Sequence, residues 1–192
     1  MNCENIPILD GDPDDPIYLT IPPPPLHTIL LGPVNHVFKE LRKRHPVIMK
    51  TIDNLHIQQS KYHGKNFEGN QCRAILKSVH KLNIPKELVE FKNFFIAIKK
   101  LCKLVNTEVL SSSYHKVIDD FRKSWYDSSV KFRVSTTPKI HIILDHLEDY
   151  FDETNTTLRV TSDELCENMH QFLHKRLIRS LIVLSYIEQF AT

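Results

Sequence analysis

Apolar side chains recur along this chain with the 3.6-residue period of an amphipathic helix, and nowhere with a sustained period of two. Val34, Val37, Phe38 and Leu41 fall at i, i+3, i+4 and i+7 behind Pro33, a residue suited to a first helical turn. Lys39, Arg42, Lys43 and Arg44 occupy the other side. Pro46 breaks this helix, because proline lacks an N–H and its ring crowds the preceding turn. Ile48, Ile52, Leu55 and Ile57 predict a second helical piece, and the glycines and asparagines between Tyr62 and Asn70 predict a loop. Cys72, Ile75, Leu76, Val79 and Leu82 mark a third helix, stopped by Asn83 and Pro85. A fourth begins at Pro85, with Leu88, Phe91, Phe94, Phe95, Ile98, Leu101 and Cys102 as a wide apolar stripe. Lys92, Lys99, Lys100 and Lys103 face out from it. A fifth runs from Ser112 to Tyr126 through Tyr114, Val117, Ile118, Phe121 and Trp125. Thr137 as cap and Pro138 as first residue open a sixth, apolar at Ile140, Ile143, Leu144, Leu147 and Phe151. Its other side carries His141, Asp145, Glu148, Asp149 and Asp152. After a loop over 152–160, Thr161 and Glu164 form a capping-box pattern that starts a last helix to Ile187.

This pattern predicts an all-α protein, an irregular bundle of six or seven helices forming one domain over residues 26–192. The length of 192 residues suits a single domain. Residues 1–25 form an extended, acidic and Pro-rich arm. Asp10, Asp12, Asp14 and Asp15 sit among Gly11, Pro13 and Pro16, and Pro22 to Pro25 follow as an unbroken run. The phenylalanines of the fourth and fifth helices, with Trp125, read as bundle core in preference to a base-stacking surface.

Composition adds little until charge is placed along the chain. Apolar residues make up 41% and charged residues 25%, ordinary globular usage. From His36 to Lys103 there are 15 Lys and Arg against 5 Asp and Glu; the remainder holds 10 against 18. That asymmetry predicts a basic face, for which a polyanion such as DNA is a natural partner. Lys39, Arg42, Lys43, Lys99, Lys100 and Lys103 are the candidate nucleic-acid contacts. The four cysteines are scattered, with no CxxC pair, so no disulfide framework or zinc pattern is expected. The first residues are acidic and do not read as a signal peptide, and Leu177 to Ile187 is far short of the ~20 apolar residues a bilayer requires. A nuclear or cytoplasmic location, with neither secretion nor membrane insertion, is the expectation.

The last predicted helix carries the most chemistry-like set. Asp163, Glu167, His170 and His174 fall within one narrow stripe at 100° per residue. Histidines at i and i+4 with a carboxylate at i−3 can bind a divalent metal. Gln171 follows His170, so the HExxH general base is missing. The competing account is structural: Asp163 complements the helix N-terminus and the others are surface groups. His141 and Asp145 read as an ordinary i,i+4 surface pair. Glycine-rich phosphate loops and the GxSxG elbow are absent.

An ordered series of short motifs adds a resemblance. It comprises Pro23-Pro24-Pro25-Leu26-His27, then Leu31-Gly32-Pro33-Val34-Asn35, then Tyr62-His63-Gly64 to Phe67-Glu68-Gly69-Asn70 with Cys72 and Leu76. Thr137-Pro138-Lys139-Ile140-His141 follows, and last Ser162-Asp163-Glu164 with Glu167 and His170. This series resembles the C-terminal portion of transposon-derived proteins of animal genomes, similar to cut-and-paste transposases with an RNase H-like core. The resemblance implies DDE chemistry, in which carboxylate-held magnesium ions activate the attacking oxygen at a phosphodiester. It matches Glu167 to the last carboxylate, with Asp163 as second choice. The strands that would carry the first two aspartates are missing from the helical pattern, and Asp163-Glu164 stands where the motif usually has Glu-Gln. The resemblance therefore implies a helical insertion plus terminal helix of a larger enzyme. Such a piece would be inactive alone, needing no cofactor by itself and using Mg2+ only within a complete core. It would bind DNA, another copy of itself or parent transposase subunits. A helical protein–protein interaction module with no nucleic-acid role is the alternative, its apolar Leu177 to Ile187 end pairing with another chain.

Overall fold

The computed structural model describes residues 22–60, 64 and 66–159. By internal contacts the chain divides into residues 1–161 and residues 162–192, and the described residues belong to the first unit. Among them are seven α-helices and no strand. The helices are α1 (Gly32–Arg44), α2 (Ile48–Asn54), α3 (Gly69–Lys77), α4 (Val89–Val105), α5 (Tyr114–Phe132), α6 (Pro138–Asp145) and α7 (Leu147–Thr154). The all-α class read from the apolar period holds. The Pro-rich arm falls outside the described residues up to Ile21.

Several boundaries differ from the sequence expectation, each for a local reason. The chain is already helical before Pro33: Leu26–Leu31 is a π turn that runs straight into α1, the Gly32 N–H donating to the His27 carbonyl. In an α turn the Pro33 ring would press on the carbonyl four residues back; a wider turn just before it relieves that contact. α2 stops at Asn54, and His56 takes a left-handed φ of 55°, so Leu55 and Ile57 leave the helix although Ile57 stays buried. α3 tightens at its end into a 3-10 turn over Val79–Lys81, common where an α-helix runs out, which still buries Val79 and Leu82. α4 is entered through a second 3-10 turn, Lys86–Leu88. α5 continues six residues past Tyr126. Its extension is hard to read from the sequence because Tyr126 and Val130 point to solvent, at 67% and 60% exposure. The expected sixth helix is two, broken at His146, where φ −125° and ψ −17° depart from helical values. Its start is where the sequence places it: the Thr137 hydroxyl accepts from the Ile140 N–H at 3.4 Å and Pro138 follows.

The core is built on α4. Phe91, Phe94, Phe95, Ile98 and Leu101 are fully buried along it. α4 and α5 run antiparallel, as the Glu90–Lys131 and Lys100–Asp120 pairs at opposite ends show. Between them Phe94 meets both Phe121 and Trp125 at 5.2 Å between ring centroids, and Phe91 stacks on Phe132 at 4.3 Å. The Trp125 indole N–H donates to Thr136 Oγ1 at 3.1 Å, so the buried ring is satisfied. These rings are core, as the sequence pattern predicted. Among the described residues no helix is long and apolar enough to cross a membrane.

Candidate nucleic-acid interface

Between Glu90 and Glu108 the sequence holds no acidic residue, and this run is α4 with its C-terminal turn. One side of the helix therefore meets solvent with cations, amides and the half-buried Ile96, and with no acid. At 100° per residue, Lys92, Lys99 and Lys103 lie within one narrow arc, on the side away from buried Phe94 and Leu101. Lys99 and Lys103 are exposed and Lys92 is half-buried.

Three acids near α4 are taken by other cations. Glu90 at its start is bound by Lys131 at 2.7 Å, and Glu108 beyond its end by Arg159 at 3.0 Å. Asp120 of α5 is bound by Lys100 at 2.8 Å. The Lys100 hydrogen bond holds the Asp120 carboxyl below its usual range against the opposing effect of burial. Burial raises the Glu90 carboxyl, but the Lys131 hydrogen bond, a backbone hydrogen bond and the Lys131 charge together outweigh it and the group is held low. Lys92, Lys99 and Lys103 make no ion pair with any described residue.

α1 presents a second, smaller set. Lys39 is exposed and Arg42 half-buried, and neither is ion-paired among the described residues. Lys43 and Arg44 both grip Glu40, at 2.5 and 2.8 Å. Burial raises the Glu40 carboxyl, and these two hydrogen bonds bring it below its usual value. Arg44 also donates to the Phe132 carbonyl at 2.6 Å and lies over the Phe91 and Phe132 rings. α1 meets α4 through apolar sides, with the Phe38 and Phe95 rings 6.4 Å apart. Of the six contacts proposed from sequence, Lys43 and Lys100 thus hold intramolecular partners. Such exposed pairs are worth only about 0–1 kcal/mol and can be exchanged for a ligand. Lys39, Arg42, Lys99 and Lys103 are available. Lys92 joins them, and the signal that finds it is the acid-free run around it.

Four of the five motifs that carried the resemblance have described residues that come together in space; the fifth, from Ser162 to His170, lies outside the described residues. The Asn35 side chain holds both polar groups of the Phe67 backbone: Oδ1 accepts from the Phe67 N–H at 2.7 Å and Nδ2 donates to its carbonyl at 2.9 Å. Nδ2 also reaches the Leu31 carbonyl at 3.0 Å. A loop segment with no sheet to pair with is satisfied by one amide. Cys72 lies beneath the same carbonyl at 3.6 Å, and burial pushes its thiol up to about 12, so it is packed rather than reactive. A Cβ at Gly32 would lie 2.5 Å from Lys139 Cδ and 3.3 Å from its Cβ. Glycine there lets the first turn of α6 settle on the start of α1. A Cβ at Gly69 would lie 3.0 Å from Leu26 Cδ1. The Pro-Leu-His, Gly-Pro-Val-Asn, Phe-Glu-Gly-Asn and Thr-Pro-Lys segments thus form one joint.

The remaining candidates are placed as follows. Glu167, Asp163, His170 and His174 lie outside the described residues. His141 and Asp145 form a surface pair at 2.5 Å, both more than half exposed. Among the described residues no three of His, Cys, Asp and Glu converge where a metal ion could sit. A polar network that periodicity could not reveal joins α5 to α7. His115 Nδ1 contacts Glu148 Oε1 at 2.5 Å, Arg122 binds the other oxygen of Glu148, and Tyr114 donates to Asp152. Arg122 Nε also donates to the Leu144 carbonyl at 2.8 Å. Burial raises the Glu148 carboxyl, while hydrogen bonds from His115 and Arg122 outweigh it and hold the group low. A carboxyl depressed in the folded state contributes stability above its unfolded value of 4.5, lost as pH falls through the folded value. Melting temperature should therefore drop as pH falls below 4.5, and Glu148→Gln should weaken that dependence while lowering the melt at neutral pH. Equal pH dependence in the two proteins would remove Glu148 from this role.

No family model, curated protein or solved structure matches this chain.

Proposed function

We propose that this chain is a transposase-like helical domain that holds DNA and does not cleave it by itself. The observation that carries the reading is the stripe of Lys92, Lys99 and Lys103. Glu90, Glu108 and Asp120 are each bound by another cation, and the three lysines make no ion pair with any described residue. Phosphate oxygens are the ligands such a stripe suits, because a lysine ammonium offers a compact point charge with three donors. Lys39 and Arg42 supply a second contact region on α1. The joint of Asn35, Phe67, Gly32 and Lys139 supports the transposase-like part of the reading. It gives four of the five ordered short motifs a shared structural reason to occur together. In this reading the chain is one part of an ancestral DDE enzyme, with Glu167, then Asp163, as the remnant carboxylate. Mg2+ would enter only with a complete core.

The reading is tested by titrating labelled DNA with the purified chain between about 50 and 200 mM salt. Affinity should fall linearly on a double-logarithmic plot. Replacing Lys92, Lys99 and Lys103 together by Gln should lower the slope by roughly 0.9 for each phosphate that the protein no longer neutralises. The melting temperature should stay unchanged, since the three make no ion pair among the described residues. Binding that ignores salt, or a triple variant with the parent slope, would refute the proposal.

A further inference from the structure

The proposed DNA reading leaves open which form of nucleic acid the stripe takes, and the distribution of rings and charges decides it. Single-stranded nucleic acid is held by aromatic platforms on which bases stack, set in a basic groove. The rings of α4 and α5 that could serve as platforms, Phe91, Phe94, Phe95, Phe121 and Trp125, are all buried. The one large aromatic strongly exposed among the described residues is Tyr126. It lies on α5, four residues before exposed Val130 and on a different helix from the lysines. Among the described residues no exposed ring is therefore interleaved with Lys92, Lys99 and Lys103.

Base-edge recognition needs side chains with both donors and acceptors, or the fork of arginine, projecting from an element that enters a groove. The exposed arc of α4 offers lysines, with Asn93 and Asn106 at its margins and no arginine. Lysine carries charge without the planar geometry that separates one base pair from another. From Lys92 to Lys103 the three charges span about 16 Å at the helical rise. A duplex presents a phosphate every ~1.7 Å of axis, twice the density of either strand alone. A short stripe of point charges gains most from the denser polyanion.

We infer that the ligand of α4 is duplex DNA, gripped by its phosphates and without base readout. This inference rests on the DNA-binding reading above. Its test uses the full chain and three labelled probes of equal length: two duplexes of about 20 base pairs and unrelated sequence, and an oligothymidine strand that cannot pair with itself. The two duplexes should bind within about twofold of each other. The single strand should bind at least roughly fivefold more weakly at the same salt, with a shallower salt slope. Lys99→Gln with Lys103→Gln should weaken duplex binding severalfold. Lys116→Gln with Lys123→Gln removes the same charge from exposed positions of the neighbouring helix α5 and should change it by less than about twofold. Equal or tighter binding of the single strand would overturn the duplex preference and leave DNA binding standing. A preference of about tenfold for one duplex sequence would overturn phosphate-only recognition. Equal weakening by the two double variants would move the docking face away from α4. Failure to bind any of the three probes at low salt would remove the inference and the reading it rests on together.

Discussion

Phe94→Ala destabilises the bundle by about 3–5 kcal/mol, the penalty typical of truncating a fully buried phenylalanine. Phe94 is completely buried in the middle of α4, and its ring is wedged between Phe121 and Trp125 of α5. Removing it opens a ring-sized void between α4 and α5. The void cannot collapse easily, because Trp125 is fixed from its far side by Thr136. Urea unfolding checks this. With a slope of ~1–3 kcal/mol per molar, the midpoint should fall by roughly 2 M. Phe94→Leu keeps most of the volume and should cost less than half as much. A shift under ~1 kcal/mol for the alanine variant would mean that α4 and α5 do not pack through this ring.

Asn35→Leu is expected to cost about 2–4 kcal/mol, although it replaces a polar side chain by an apolar one of similar size. The asymmetry of hydrogen-bond energetics is the reason. A buried donor or acceptor left without a partner costs ~1–3 kcal/mol, and Asn35 satisfies two on Phe67 at once. Phe67 is 3% exposed and its ring meets Phe38 edge-on at 4.9 Å, so its backbone cannot turn to water without uncovering that packing. For a domain of this size, 1 kcal/mol shifts the melting temperature by about 2–4 °C. The variant should melt roughly 5–15 °C lower and be cut sooner by protease between α2 and α3. A parent-like melt would show that Phe67 finds other partners. Asn35→Asp separates the two bonds: the carboxylate keeps the acceptor for the Phe67 N–H but faces its carbonyl, so part of the destabilisation should remain.

What the sequence made legible follows from what periodicity measures. Because a long helix repeats its signal over several turns, the apolar stripe on α4 predicted five of its eight buried residues, missing Ala97, Leu104 and Val105. The Thr137-Pro138 start is equally plain, since cap and first turn are written in adjacent residues. Breaks are harder. His146 interrupts α6 and α7 with no glycine or proline to mark it, and Ile140, Ile143, Leu147 and Phe151 stay buried on either side of the break. The end of α5 escapes the pattern because Val130 carries an apolar side chain on a wet face. At the candidate interface, lysine positions are legible but their partners are not. Lys100 and Asp120 are 20 residues apart, and only the packing of α4 on α5 joins them. Charge counting marked the basic segment, and it took tertiary structure to separate lysines already engaged from those without partners. The Asn35–Phe67 pairing lies at a separation of 32 residues and has no periodic signature at all.

The span from Phe132 to Lys139 runs along α1, meeting it at three places. Arg44 holds the Phe132 carbonyl, His36 contacts the Ser135 carbonyl at 2.9 Å, and Gly32 receives Lys139. The first two contacts bridge 88 and 99 positions of sequence. A helix made early is therefore completed by a connector made late. At ~5–20 residues per second of synthesis, α1 waits on the order of 5–20 seconds for these contacts. Contacts this distant also slow the search for the native state, since loop closure must precede them. The bundle is helical in its local structure but non-local in its assembly, and its emerging N-terminal half is the stage at which a chaperone has most to bind.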